Sequence, residues 1–324
     1  MSPRKRLASL IHHSGLAGWR LRRYRQHLPI LAYHRILDDD ADIESLADPS
    51  LFSTRVSDFR KQVEWLGRHA DCVTFATLNQ ARRCPVIITF DDGYEDNYRL
   101  ALPVLREAGI AAVFFVTTDF IDYGQPMWFD RVANAIRRLD GQMPAEIISH
   151  LGNPDPSRSA LQQCLALMKS VDEQRRAELL ATLEQAPPSR ACEDQGPMSW
   201  DQLREMAAAG MEIGSHSCSH TVLANESRQS IRSELIQSRL RIEAEIGAPC
   251  HSLAYPVGGN TAINPLVVAE ARDAGYQYAC SYISGMNRRP PEDTMLLRRL
   301  HIELDQNFHE FTATLAFPTL FGFD

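Results

Sequence analysis

One local theme recurs along this chain: a helical stretch closes on a glycine and runs into a short apolar strand. It appears as Val104-Leu105-Arg106-Glu107-Ala108-Gly109 before residues 110–116, and as Ala208-Ala209-Gly210 before residues 211–214. It returns as Glu245-Ile246-Gly247 before residues 251–255, and as Asp273-Ala274-Gly275 before residues 276–282. A glycine just past a helix end is the usual left-handed cap. Four such passages point to parallel strands joined by helices, an α/β fold. An opening strand near residues 30–34 and another at 86–90 bring the number to six or seven. Open sheets and closed barrels share this pattern.

Residues 131–186 interrupt the rhythm. Segments 131–139 and 159–183 read as helices, divided by the breaker Gly152-Asn153-Pro154-Asp155-Pro156, and the polar run from Pro187-Pro188 to Gly196 reads as a loop. Leu161, Leu165 and Met168 give one apolar stripe, expected to pack rather than to bind. A final helix is expected over 306–315.

Two signals carry chemistry. Thr89-Phe90-Asp91-Asp92-Gly93-Tyr94 follows an apolar, β-branched strand, and His216-Ser217-Cys218-Ser219-His220 follows another at 211–214. Successive side chains at a strand end point to opposite sides. A bend at Gly93 would let one carboxylate bind a metal while the other stays free to take a proton. His216 and His220 are spaced to share one face of a helical turn, so both rings can reach one ion. An Asp-His-His set leaves coordination positions open for water and substrate, as metal-assisted hydrolysis requires. Taken singly, an Asp-Asp-Gly is most often a turn and a His-x-x-x-His a solvated helix face. Both stand just past strand ends of one α/β domain, where such folds place their sites.

These residues resemble the polysaccharide deacetylase family, which shares the NodB homology domain (carbohydrate esterase family 4). Its Thr-Phe-Asp-Asp-Gly motif is intact at Thr89 to Gly93, and its His-Ser/Thr-x-x-His motif is intact at His216 to His220. Leu31-Ala32-Tyr33-His34-Arg35, Met127-Trp128-Phe129-Asp130, Leu253-Ala254-Tyr255-Pro256-Val257-Gly258 and Leu297-Arg298-Arg299-Leu300 resemble an exopolysaccharide-type branch. The match runs over roughly residues 30–305.

The resemblance implies a distorted (β/α) barrel of about seven parallel strands with a helical insertion. It implies Asp91 as general base and Asp92, His216 and His220 as ligands of a divalent metal. Zinc is expected first, and cobalt, nickel or iron also suit the donors. In this branch the catalytic elements are circularly permuted, which favours His34 over His301 as general acid. The family's Arg-x-Pro-Tyr motif is absent as such, and Val257 stands where its Tyr often follows the Pro. Arg299, ahead of Arg298, is expected to orient Asp91. Tyr94, Trp128 and Tyr255 are candidate substrate contacts, since aromatic faces pack on apolar sugar faces. The domain reading is a basic N-terminal arm at 1–29 and a deacetylase domain at 30–324, with the insertion at 131–196.

The expected function is therefore removal of N-acetyl groups from amino sugars of a polysaccharide or lipid-linked glycan. Hydrolysis of another amide or of O-acetyl esters, a non-catalytic glycan-binding role and a structural metal domain are the alternatives. Intact Asp91 argues against pure binding, and open coordination argues against a structural metal.

Charge and composition narrow the partners. The 324 residues carry a net charge of −7, unevenly spread: the first 37 hold eight Lys or Arg and no Asp or Glu. The remaining 26 basic and 41 acidic residues leave the body at −15, which argues against general nucleic-acid binding. The N-terminal segment lacks the uninterrupted apolar run of a secretory signal. It is expected to be a solvated arm packed locally on the acidic body. Peripheral contact with an anionic membrane, with Trp19 as interfacial anchor, is the second reading. Seven scattered cysteines without a Cys-x-x-Cys pair fit reduced thiols in a reducing compartment, so the expected location is cytoplasmic, with membrane association only through the second reading of the N-terminal segment.

Overall fold

The computed structural model describes residues 2–152, 154–185 and 196–322, so the loop expected from 187 onward lies, apart from Gly196, outside the described residues. Seven parallel strands close into a barrel in chain order: β1 (Ile30–Tyr33), β3 (Pro85–Phe90), β4 (Val113–Val116), β5 (Glu212–Ser215), β6 (Ser252–Ala254), β7 (Tyr278–Ser284) and β8 (Leu297–His301). A short extra strand, β2 (Asp71–Cys72), adds to the start of β3. Closure comes from β8 pairing with β1 at Leu300↔Leu31 and His301↔Ala32. The strands are three to seven residues long, and the β7–β8 register shifts between Cys280 and Ser284, so the barrel is distorted.

Period-two alternation sorts the side chains. Ile30, Ile87, Val113, Phe115, Ala254, Cys280 and Leu297 form one buried cluster inside the barrel. Their neighbours Leu31, Ile88, Phe114, Ile213, Leu253 and Leu300 belong to the larger cluster packed under the surrounding helices. Space inside is tight: a Cβ on Gly214 would lie 2.6 Å from the Phe115 ring. Continuing each inner row past its strand reaches His34 beyond Ala32, Asp91 beyond Thr89, and His216 beyond Gly214. The candidate site is thus the open C-terminal end of the barrel's own interior.

The insertion folds as four helices: Trp128–Arg138, Ala145–Leu151, Ala160–Lys169 and Glu173–Glu184. The single helix expected over 159–183 is broken at Ser170-Val171-Asp172, where Asp172 caps the next helix by accepting from Arg175 N–H. The short Ala145–Leu151 helix was not expected, because its seven residues give less than two turns of pattern. These helices have their own buried cluster, including Val132, Ile147, Cys164, Met168 and Leu180.

The N-terminal segment is packed, not loose. Pro3–His13 and Leu16–Leu21 are helices lying on Phe308–Ala316. Their Ala8, Ile11, Ala17 and Leu21 belong to the main core. The division at residue 29 is therefore one of charge rather than of burial. The helix expected over 306–315 starts at Phe308, two residues later, because Asn307 forms a capping box with Glu310, and a short helix, Pro318–Phe321, follows it. No helix among the described residues is long and apolar enough to cross a membrane.

Candidate active site

Asp91 and Asp92 reach the same site because the backbone turns between them. Asp91 keeps the strand register, its N–H donating to the Tyr33 carbonyl at 3.0 Å. The bend begins one residue before the expected glycine: Asp92 itself sits at φ 79°, and Gly93 follows at φ 98°. A left-handed non-glycine residue is costly and marks a place where geometry matters more than local stability.

Asp91 is buried at the cleft floor, and the buried Arg299 grips it. Nη1 and Nη2 donate to its two carboxylate oxygens, each at 2.7 Å. Burial opposes the charge on Asp91, but the Arg299 guanidinium outweighs it, with His216 and His34 adding, and holds the carboxyl below its ordinary range. Arg298 instead points outward and donates to the Ser284 carbonyl.

The two histidines come from a loop, not from the helical turn that their spacing suggested. Residues 216–220 carry no helix, and Ser217 (φ 64°) and His220 (φ 56°) are left-handed. Glu234 holds this loop by accepting from the N–H groups of Cys218 and Ser219, at 2.9 and 3.0 Å. Trp128 Nε1 donates to the His220 carbonyl at 2.9 Å. The Cys218 thiol donates to the Glu234 carbonyl, and burial pushes it up to about 12, so no thiolate faces the histidines at neutral pH.

His216 Nε2 and His220 Nε2 stand 3.5 and 3.4 Å from Asp92 Oδ1. His216 Nδ1 lies 2.7 Å from the Ala254 carbonyl, which can only accept, so Nδ1 carries a hydrogen and Nε2 is the nitrogen turned toward Asp92. The second oxygen of Asp92 is buried without a hydrogen-bond partner among the described residues. Three buried donor atoms within 4.8 Å of one another, one ring aimed by its Nδ1 bond to a carbonyl and one orphaned carboxylate oxygen fit a divalent cation.

These groups floor a cleft of about 310 Å³, at the small end of ligand-sized cavities. His34 enters from the end of β1, with Nε2 3.9 Å from Asp91 Oδ2. Its backbone is fixed by Ser53, which accepts from its N–H, and by Asn97, which donates to its carbonyl. His301 is not in the cleft lining. Its ring stacks on Tyr282 with centroids 3.7 Å apart, and burial, then Arg299, lower it to about 4, so it is neutral at neutral pH.

The aromatic candidates divide. Trp128 lines the cleft and also braces the His220 loop. Tyr255 borders the cleft but is 1% exposed, its hydroxyl donating to the Met295 carbonyl. Tyr94 does not line the cleft. Its ring is enclosed and its hydroxyl donates to Asp130 at 2.7 Å, so the expected sugar contact is corrected to a packing role. An aromatic beside a motif can equally well fill the core behind it, and sequence cannot separate these fates.

The cleft also takes Asp48, Phe129, Lys169, Val257, Tyr282 and Glu303, none of which was among the expected site residues. Leu165, expected only to pack, also faces the cleft. Tyr282 and Glu303 lie at the ends of the last two barrel strands, and that position was the available signal.

Glu303 makes a pH test. Burial, reinforced by Asp305, raises its carboxyl from 4.5 to about 7. The folded state therefore keeps a proton there that the unfolded chain releases. Stability from this group is present at low pH and lost as pH rises through that window. Glu303→Gln removes the penalty, so its gain in melting temperature over the parent should be larger at pH 8 than at pH 5. Equal gains at both pH values would place the titration elsewhere.

The family model described as Polysaccharide deacetylase matches residues 79–279, well over half of the chain. The chain belongs to the polysaccharide deacetylase family. Among curated members it is similar to YxkH of Bacillus subtilis (strain 168), whose name places it in the same family, at 34% identity over 98 residues. That match covers 28% of this chain and 31% of YxkH, so the chain spans about a third of the length of that relative. Among solved structures, the fold is similar to the Streptococcus pyogenes deacetylase PplD in complex with acetate. The TM-score is 0.59 at 17% identity, covering 87% of this chain and 94% of PplD. It is similar too to IcaB from Ammonifex degensii, with TM-score 0.55 at 18% identity, covering 90% and 97%.

Proposed function

We propose that this polysaccharide deacetylase family member is a metal-dependent hydrolase that removes N-acetyl groups from amino sugars of a polysaccharide or lipid-linked glycan. One observation carries the reading. Two adjacent buried carboxylates are split by environment: Asp92 faces two imidazoles, and Asp91 is held ionised by Arg299. That division is what a ligand and a base need.

Asp92, His216 and His220 would hold the metal, which when bound polarises a carbonyl and lowers the pKa of water. Asp91 acts as the base that takes a proton from the attacking water as the new C–O bond forms. His34, on the same cleft and near Asp91, gives a proton to the sugar nitrogen as the C–N bond breaks, leaving acetate and a free amine. Arg299 fixes the direction of the Asp91 oxygens. Val257 is left-handed at φ 63°, and its N–H makes no hydrogen bond among the described residues, which supports it as a donor to the developing oxyanion. Trp128 gives the cleft an aromatic wall for the sugar.

Acetate release tests the proposal. A panel of N-acetylglucosamine oligomers and O-acetylated sugars would be assayed after chelation and after return of zinc, cobalt or nickel. Metal-restored acetate from N-acetyl substrates is expected. Acetate from O-acetyl substrates alone would make the protein an esterase, and none from any substrate with metal bound would turn the reading toward other amides or toward glycan binding.

A further inference from the structure

Four of the ten exposed large hydrophobic side chains of the described chain crowd into its first nineteen residues: Leu7, Leu10, Leu16 and Trp19. Leu10 is 68% exposed and Trp19 52%. Single exposed leucines need no explanation, but a concentrated set does. The helical architecture accounts for their direction. Pro3–His13 buries Ala8 and Ile11, and Leu16–Leu21 buries Ala17 and Leu21, both against Phe308–Ala316. Leu10, Leu16 and Trp19 lie off the buried faces of their helices, and Leu7, one turn before Ile11, is exposed at the border of its own. Leu320, 57% exposed, sits on the adjoining Pro318–Phe321 helix, which Arg4 ties to the first helix by donating to the Phe321 carbonyl.

The rim is basic. Arg6, Arg22, Arg23 and Arg25 are exposed and form no ion pair with a carboxylate among the described residues. The Arg23 guanidinium lies 4.2 Å from the centroid of the Trp19 ring. No Asp or Glu occurs before residue 38, while the rest of the chain is strongly acidic. A charge distribution of this kind orients the molecule, turning this face toward an anionic surface and the acidic body away from it.

We infer that this two-helix face docks the protein peripherally on an anionic lipid surface, with Trp19 and Leu10 entering the interface and the arginines meeting the headgroups. The chemistry is that of an interfacial amphipathic helix, apolar on one side and cationic around it. A second copy of the chain fits less well. A two-fold contact would set the same arginine-rich rim against itself, with no carboxylate to neutralise it. The inference does not depend on the deacetylase reading, because vesicle binding is measured without turnover.

The full chain would be sedimented with vesicles of phosphatidylcholine alone and with about 30% phosphatidylglycerol, at about 0.1 M and about 0.5 M salt. Binding is expected only to the anionic vesicles and to weaken at the higher salt. Leu10→Glu/Trp19→Glu should bind about tenfold or more weakly through loss of the apolar contacts. Arg22→Glu/Arg23→Glu should bind more weakly and lose most of the salt dependence. All four positions are exposed, and an unchanged melting curve would certify the fold of each variant. No binding to anionic vesicles, binding by both variants as tight as that of the parent, or a concentration-dependent dimer abolished by Leu10→Glu/Trp19→Glu would overturn the inference.

Discussion

Replacing Asp91 by Asn is expected to lower kcat by about 10²- to 10⁴-fold, the usual weight of a positioned general base. Metal binding should survive, because the carboxylate facing both imidazoles belongs to Asp92. The variant carries a second signature. Arg299 is wholly buried and donates to both Asp91 oxygens, so neutralising Asp91 strands a buried guanidinium. Losing one partner of a buried pair costs about 3–5 kcal/mol, which denaturant unfolding would read. Activity must therefore be measured well below the variant's melting point, on protein shown to be folded. A stable, fully active Asp91→Asn protein would remove both the assigned base and the claimed weight of the ion pair.

The second large effect is expected from His216→Ala. His216 contributes one nitrogen to the candidate metal set and is aimed by its bond to the Ala254 carbonyl. Groups that merely orient a metal ligand are worth about 10- to 100-fold in affinity, so deleting the ligand itself should cost more than about 100-fold. Metal content after dialysis and a calorimetric titration with zinc would measure the loss. Acetate release should fall with it and should not return at ordinary metal concentrations. Tight, stoichiometric zinc binding by His216→Ala would take that residue out of the site and leave Asp92 and His220 in need of another partner.

The two variants fail in different ways, which makes them useful together. Asp91→Asn should keep metal and lose turnover, whereas His216→Ala should lose both. The difference rests on a backbone feature. Asp91 continues the inner row of β3, while Asp92, in the alternate row, is brought to the same site by a left-handed turn. Neighbouring carboxylates are thereby given unlike surroundings, one a guanidinium and the other two imidazoles.

Much of this was written locally in the chain. Helix, glycine and strand recur often enough to specify a parallel α/β fold, and the closed seven-stranded barrel accommodates each of those passages. Asp91, Asp92, His216 and His220 stand out because polar residues directly after apolar strands have nowhere to go but the strand ends. Local pattern also misled in identifiable places. His216 and His220 carry helical spacing but sit on a loop, because Glu234, distant in sequence, supplies the acceptors that hold it. Residues 159–183 read as one helix, yet Asp172 caps a new helix within them.

What the sequence by itself determined is what depends on neighbours along the chain: the strands, the glycine-capped helices, and the position of the acidic and imidazole groups just past strand ends. What only the tertiary structure decided is what depends on closure. Barrel closure brings the end of β8 against β1 and so places Arg299 beneath Asp91, 208 positions away in sequence. It buries Tyr94 behind the cleft while leaving Trp128 in its wall, and puts His301 behind Tyr282 while His34 faces the base. Which face of a ring or carboxylate meets solvent is set by long-range packing, and local periodicity carries no information about that choice.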